Sequence, residues 1–140
     1  MREGVTSRMV SDVPLGAFLS GGVDSSSVVA LMSESSAAPV TSCSIGFDVE
    51  SVDETAYARQ VAKLFATDHH ERIVSSDQFG DVDRIAAIFD EPFADASALP
   101  TLRVCELARE HVTVALSGDG ADEAFAGYRR QAFHAREEQV

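Results

Sequence analysis

The stretch Leu19–Ser27 reads LSGGVDSSS and follows an apolar run, Pro14–Leu19. Segments rich in Gly and Ser are often flexible linkers, but a linker does not explain the strand candidate before it or the helix candidate Ser25–Ser33 after it. Glycine amides, serine hydroxyls and a helix N-terminus together suit a phosphate or pyrophosphate group. The carboxylate of Asp24 suits that group only if a divalent cation stands between them. The stretch therefore predicts a strand–loop–helix unit that binds phosphate with Mg²⁺.

The rest of the chain repeats this alternation of strands and helices. Strand candidates that alternate with helix candidates, the clearest of them an apolar run rather than an alternating pattern, indicate a parallel sheet with both faces covered. They lie at Pro14–Leu19, Val40–Ile45, His70–Val74 and Val112–Leu116. Helix candidates lie before, between and after them, starting with Arg2–Met9. The pattern predicts an α/β protein with three α/β/α layers and a mainly parallel sheet of four to five strands.

The helix after the second strand candidate has an amphipathic pattern. Ser51 and Glu54 have the spacing of a capping box, so we expect the helix to begin there. Its predicted buried face consists of Tyr57, Val61, Leu64 and Phe65.

Two cysteines and a pair of histidines are the remaining candidates for metal binding, but their sequence context does not favour it. Cys43 and Cys105 lie in apolar surroundings without metal-binding spacing, so we expect both to be reduced core residues. His69 and His70 are neighbours on a strand, and neighbouring side chains there point to opposite faces. We therefore expect two surface residues rather than a shared metal site.

Charge and composition narrow the class of protein. The 140 residues have a net charge of −12 and only one lysine, Lys63. Binding of nucleic acid or of a membrane surface needs clustered basic residues, so neither partner is expected. The sequence has no signal-peptide pattern and no apolar run approaching a membrane span, so we expect a cytoplasmic protein.

A second polar loop, Ser117–Asp122, follows the strand candidate Val112–Leu116. Ligands of open α/β sheets bind beyond the carboxyl ends of the strands, so we expect this loop and Ser20–Ser25 to face one site. Asp122 has the right chemistry to be a second metal ligand, a helix N-cap, or both.

The two loops carry a resemblance to a known family. LSGGVDSS resembles the pyrophosphate loop of the N-type ATP pyrophosphatases, and SGDGADEAFAGYRR (Ser117–Arg130) resembles the glutamine-dependent asparagine synthetases and their amidotransferase relatives. The resemblance covers essentially the whole chain. It implies an adenine nucleotide alpha hydrolase-like fold. GMP, NAD and argininosuccinate synthetases and tRNA thiolases share the first loop but are not expected to carry the second.

The resemblance also implies ATP and Mg²⁺ as ligands and assigns residues to them. The residues implied to hold the pyrophosphate are Ser20, Gly21, Gly22, Asp24 and Ser25. Those implied to contact the rest of the nucleotide are Phe18, Ile45, Ser117 and Gly118, although Phe18 and Ile45 also suit the core. The implied Mg²⁺ ligands are Asp24 and Asp122. Asp119 falls where asparagine synthetases commonly carry a glutamate implicated in forming the acyl-adenylate. Because of this change, the resemblance does not determine which acceptor substrate is activated.

By resemblance, the activity is ATP-dependent amide synthesis: aspartate is activated as β-aspartyl-AMP with release of pyrophosphate, and ammonia from a glutaminase domain displaces AMP. We expect residues 1–140 to be a single partial domain, without the N-terminal glutaminase domain or the lysine-bearing C-terminal part, and to be inactive alone. The partners implied are small molecules, with homodimerisation of the full-length protein left open. The segment Asp90–Pro100 (DEPFADASALP) is a candidate lining of the acceptor pocket. A related amidotransferase, a β-lactam-forming synthetase and a non-catalytic nucleotide-binding module remain alternatives.

Overall fold

The structure is a computed structural model that describes residues 1–49, 53–75, 81–91, 93–128 and 131. Strands and helices alternate along it, as the apolar runs predict. In chain order the elements are α1 (Arg2–Ser7), β1 (Leu15–Phe18), α2 (Val23–Ser35), β2 (Thr41–Phe47), α3 (Thr55–Leu64), β3 (Asp68–Val74), α4 (Asp81–Ile88), α5 (Ala98–Arg109), β4 (Val114–Leu116) and α6 (Ala121–Phe125). None of these helices is long and apolar enough to cross a lipid bilayer.

The strands form one parallel sheet in the order β3-β2-β1-β4. Gly16 of β1 lies opposite Thr41 of β2 and Ala115 of β4. Parallel neighbours need a long crossover connection, and the helices between the strands supply it. Because the strands share one direction, their carboxyl ends lie at the same edge of the sheet, where both polar loops begin.

Helices cover both faces of the sheet, which confirms the predicted three-layer α/β/α class. On one face, α1, α2 and α3 pack over β1. The buried side chains of this cluster are Val5, Ala17, Leu19, Val28, Val29, Met32, Val40, Ala58 and Ala62. On the other face, Leu107 and Ala108 of α5 pack with Cys43 and Val112.

The buried face of α3 matches the predicted one only in part. Tyr57 and Leu64 are 63% and 74% exposed. Val61 and Phe65 are partly buried and pack against the core as predicted, while the fully buried residues of α3 are Thr55, Ala58 and Ala62. The helix lies close to the loop before α2, because a Cβ added to Gly21 would lie 2.5 Å from Tyr57 Cβ and 2.6 Å from the Ala58 nitrogen.

The start of α3 also differs, as far as it is described. Ser51 lies outside the described residues, so its half of the predicted capping box is not assessed. Glu54 is the N-cap residue itself rather than a residue of the first turn. Asp53 takes the capping role, because its carboxylate accepts hydrogen bonds from the Thr55 N–H (3.2 Å) and hydroxyl (2.8 Å).

Two single residues are placed differently from the prediction. Both cysteines are free, and Cys43 is buried as expected, but Cys105 is exposed on the outer side of α5. His69 is not a surface residue: its side chain is 13% exposed and hydrogen-bonded to Ser42 and Ser44. Burial lowers the pKa of His69, which favours the neutral ring between two hydroxyls.

Candidate functional site

The first strand-end loop is held in a left-handed turn against α3. β1 ends at Phe18, and α2 begins after Gly22, its N-cap residue. Gly21 has φ +87°, and a Cβ added there would lie 2.5 Å from Tyr57 Cβ and 2.6 Å from the Ala58 nitrogen. Glycine is therefore required twice, once for the backbone conformation and once for space.

Serine hydroxyls fix the shape of this loop from inside. The Ser25 hydroxyl, in a buried residue, accepts a hydrogen bond from the Ser20 N–H at 3.2 Å and lies 3.0 Å from the Ser20 hydroxyl. The Ser20 hydroxyl in turn accepts from the Gly22 N–H at 3.2 Å. These bonds position the loop and the first turn of α2, which contains Asp24, before any ligand arrives.

The second loop joins β4 to the short helix α6. The Ser117 hydroxyl donates to Asp119 Oδ2 at 3.1 Å. Gly120 has φ +86° and is the N-cap residue of α6. Asp122 lies in the first turn of this helix rather than at its N-cap, so the N-cap role that the sequence left open is wrong. Its carboxylate lies against Gly127, where a Cβ would overlap Oδ1.

The two loops touch at Gly118. A Cβ added to Gly118 would lie 2.9 Å from the Ser25 nitrogen and 3.1 Å from Asp24 Cβ. The chain therefore needs glycine there to bring the second loop against the first turn of α2. This contact brings Gly118 next to the Asp24 side chain.

Both loops open onto one cavity of about 570 Å³ at the carboxyl edge of the sheet. Of the residues predicted for the site, those that line it are Phe18, Ser20, Asp24, Ser25, Ile45, Ser117, Gly118, Asp119 and Asp122. Gly21 and Gly22 do not line the cavity; they shape the loop behind it. Apolar side chains from β1, β2 and α5, among them Phe18, Ile45 and Val104, line one part, and carboxylates line another.

Further residues line the cavity, and the sequence indicated only some of them. Asp95, Ser97 and Pro100 belong to the segment Asp90–Pro100, so the predicted lining role of this segment is confirmed, while its acceptor role stays a prediction. Glu123 and Tyr128 were missed, although they lie within the second motif. The Tyr128 hydroxyl donates to Glu123 Oε1 at 2.5 Å.

The donor set limits how the protein could hold a cation. Over the parts of the chain that the structure describes, no three His, Cys, Asp or Glu side chains are grouped so that they could bind a metal ion. Asp24 and Asp122, from two touching loops, are two carboxylates that line the same cavity. Mg²⁺ commonly takes one or two protein carboxylates and completes its shell with phosphate oxygens and water, so this pair fits it.

Comparison with solved structures defines the class of fold. An NH3-dependent NAD synthetase from Campylobacter jejuni, solved with a nitrate ion, matches with a TM-score of 0.56 at 13% sequence identity. The match covers 91% of this chain and 57% of that one. The chain thus has the adenine nucleotide alpha hydrolase-like fold.

Comparison of sequences then gives the family. The asparagine synthase family model matches residues 1–140, so the chain belongs to the asparagine synthase family. A Methanocaldococcus jannaschii protein, provisionally named asparagine synthetase (glutamine-hydrolyzing) 2, is 48% identical over 90% of this chain. Asparagine synthetase (glutamine-hydrolyzing) 1 of Bacillus subtilis is 39% identical, also over 90%. The chain spans 25% and 20% of the lengths of these two relatives.

Proposed function

We propose that residues 1–140 form the ATP-binding part of an AMP-forming amide synthetase of the asparagine synthetase type. In this proposal the complete protein activates the side chain of aspartate, or of a similar acid, as an acyl-adenylate and releases pyrophosphate. Ammonia from a glutaminase domain then displaces AMP. The observation that carries the proposal is the meeting of two glycine-containing strand-end loops at one cavity with an apolar part and an acidic part.

The cavity offers different chemistry to the two ends of ATP. Phe18 and Ile45 give an apolar surface suited to the adenine ring. The hydroxyls of Ser20 and Ser25 and the N-terminus of α2 suit the phosphates, and Gly21 and Gly22 shape the turn that places them at the cavity. No lysine follows the two glycines, unlike in the common G-x-x-x-x-G-K-[ST] phosphate loop. A loop that grips the pyrophosphate end is consistent with cleavage between the α- and β-phosphates.

Asp24 and Asp122 would hold Mg²⁺ beside the phosphates. Bound there, Mg²⁺ would offset the negative charge that develops as pyrophosphate leaves. The contact of Gly118 with Asp24 supports this role because it keeps the second loop next to the first. Asp119 lies on the same loop as Asp122, next to the activated group in the proposal, and is fixed by the Ser117 hydroxyl.

The binding step is tested by calorimetry on the 140-residue chain. We expect α,β-methylene-ATP, which is not cleaved between those phosphates, to bind only when MgCl2 is present. Asp24→Asn and Asp122→Asn should each weaken binding about tenfold or more, because each removes one charged ligand. Asp83→Asn, an exposed carboxylate of α4 outside the cavity, makes the same charge change and should bind as the wild type does.

Absence of analogue binding, or binding that ignores Mg²⁺ and both variants, would contradict the proposal. The chemical step is tested on the longer gene product by exchange of labelled pyrophosphate into ATP. Exchange that depends on aspartate supports the proposed acceptor. Analogue binding without exchange for any amino acid would favour a non-catalytic nucleotide-binding module.

A further inference from the structure

Helix α5 packs against the sheet with its last turn and lines the cavity with its first half. The buried residues of α5, a helix that is described in full, are Leu107 and Ala108, and both pack against the sheet. One and two turns earlier, on the same side of the helix, the residues that line the cavity are Pro100, Thr101 and Val104. The buried core therefore holds the last turn of α5, and the half that lines the cavity needs another support.

That support comes from α4, through four charged side chains. Arg103 of α5 donates hydrogen bonds to Asp81 of α4 and, at 2.8 Å, to Glu106 of its own helix. Arg84 of α4 donates to the same two carboxylates, at 3.4 Å to Asp81 and at 2.5 Å to Glu106. Each guanidinium group thus bridges both acids, and the four side chains form a closed ring that joins α4 to α5.

The contact between Arg103 and Asp81 is the most buried part of this ring. The Asp81 side chain is 7% exposed and that of Arg103 is 19% exposed. A buried ion pair adds little net stability, but an arrangement that separates its charges is strongly disfavoured. Arg84 and Arg103 also lower the pKa of Glu106, which keeps the second acid of the ring ionised. The ring therefore holds α4 and α5 in one relative position.

The ring lies next to the apolar part of the cavity along α5. Arg103 directly precedes Val104, which lines that part together with Phe18 and Ile45. A shift of α5 would change the width of this part, where the proposed function places the adenine ring. It would leave the phosphate part unchanged, because the loop before α2 is held by its own serine hydroxyls and by α3.

We propose that Arg103 is a positioning residue for the nucleotide: held by Asp81 and Glu106, it fixes α5 so that Val104 forms a wall of the adenine-binding part of the cavity. This inference rests on the proposed function and extends it to side chains that do not line the cavity. It assigns α4 a role in nucleotide binding, although α4 contributes no residue to the lining. It also separates the two ends of the ligand, since only the adenine end depends on the ring.

The test is calorimetry on the 140-residue chain with two ligands, each in the presence of MgCl2. In the proposed function α,β-methylene-ATP occupies both parts of the cavity, whereas pyrophosphate occupies only the phosphate part. Arg103→Met keeps an unbranched side chain but removes the guanidinium group, so α5 must be ordered when the adenine ring binds. We expect affinity for the analogue to fall about tenfold because of this ordering cost. Affinity for pyrophosphate should change by less than about twofold.

Two further variants separate the role of the guanidinium group from a general loss of stability. Arg103→Lys leaves a cation beside the buried Asp81, so it replaces Arg103→Met if that variant does not fold. Lysine lacks the fork that bridges two carboxylates, and we expect about a threefold loss of affinity for the analogue. Arg72→Met is the matched control, because it breaks the exposed 2.9 Å ion pair with Glu110 at the other end of α5 and lies outside the cavity. It should bind both ligands as the wild type does.

A loss that is confined to the analogue in the Arg103 variants supports the proposal. The proposal is overturned if these variants bind the analogue as tightly as the wild type does, if they lose as much affinity for pyrophosphate, or if Arg72→Met shows the same loss. In each of these cases analogue binding by the wild type still supports the proposed function. Failure of the wild type to bind either ligand would contradict the proposed function, and this inference with it.

Discussion

The two strand-end loops occupy equivalent positions but are built differently. Each follows a parallel strand at the same edge of the sheet and leads into a helix, and each contains a glycine with positive φ, Gly21 or Gly120. Gly21 is pressed against α3, whereas a Cβ at Gly120 would have no atom within 4 Å. The first loop leads into a 13-residue helix and the second into a 5-residue helix.

From this difference we expect the first loop to be the more rigid part of the site and the second loop the more adaptable one. A loop clamped by α3 and by its own hydroxyls suits a ligand that is the same in every turnover, such as the pyrophosphate of ATP. A loop that is open on one side can change its side chains without disturbing the core. Asp119, where the resemblance implies a glutamate, lies on this open loop, which agrees with a role in handling the acceptor.

The largest expected difference between the two loops is in how much stability is lost when Gly21 or Gly120 is replaced. Gly21→Ala should lower the free energy of unfolding by about 3 kcal/mol, since it combines left-handed strain with a clash against the backbone of α3. Gly120→Ala has nearly the same φ but open space, and should lower it by about 1 kcal/mol from strain alone. Urea unfolding measures both. Equal losses in the two variants would show that α3 does not clamp the first loop.

The sequence predicted the fold class and both loops because their signals are local. Apolar runs mark the strands, and paired glycines with hydroxyl and carboxylate residues mark the loops at their ends. Only the parallel arrangement is needed to bring Ser20–Ser25 and Ser117–Asp122 to one edge. The contact between Gly118 and Asp24 was not predictable from spacing, because it depends on how β4 lies beside β1.

The errors arose where tertiary contacts override a pattern. Tyr57 and Leu64 fit an apolar helical stripe, but α3 turns Ala58 and Ala62 fully into the core and leaves these two side chains exposed. His69 has a polar sequence context, but its strand neighbours across the sheet, Ser42 and Ser44, supply hydroxyls that let it be buried. Neither partner can be identified without the register of β2 and β3.

The next largest expected effect is the loss of nucleotide affinity when the contact between the two loops is disturbed at Gly118. Gly118→Ala would place a methyl group 2.9 Å from the Ser25 nitrogen and should push the second loop away from α2. We expect affinity for α,β-methylene-ATP with Mg²⁺ to fall about tenfold, because the proposed function requires Asp24 and Asp122 to bind one Mg²⁺ and the loop that carries Asp122 would move. Calorimetry measures the change.

Gly4→Ala is the control for that variant. It adds a methyl group to α1, where the nearest atom is Arg8 Nη1 at 3.9 Å. It should raise stability by about 0.5–1 kcal/mol through helix propensity and leave nucleotide binding unchanged. If Gly118→Ala binds the nucleotide analogue as tightly as the wild type does, the two loops act independently. The contact between them would then have no role in binding.

The smallest expected difference is in the stability lost when a serine hydroxyl is removed from either loop. Ser25→Ala leaves the Ser20 N–H without its acceptor in the clamped loop, so the free energy of unfolding should fall by about 1–2 kcal/mol. Ser117→Ala removes a hydroxyl that bonds the carboxylate and the N–H of the exposed Asp119, and both groups can bind water instead, so the change should be within about 0.5 kcal/mol. Urea unfolding of both variants checks the order. A larger loss for Ser117→Ala would reverse the assignment of the rigid and the adaptable loop, because it would show that the second loop depends more on its internal hydrogen bonds than the first.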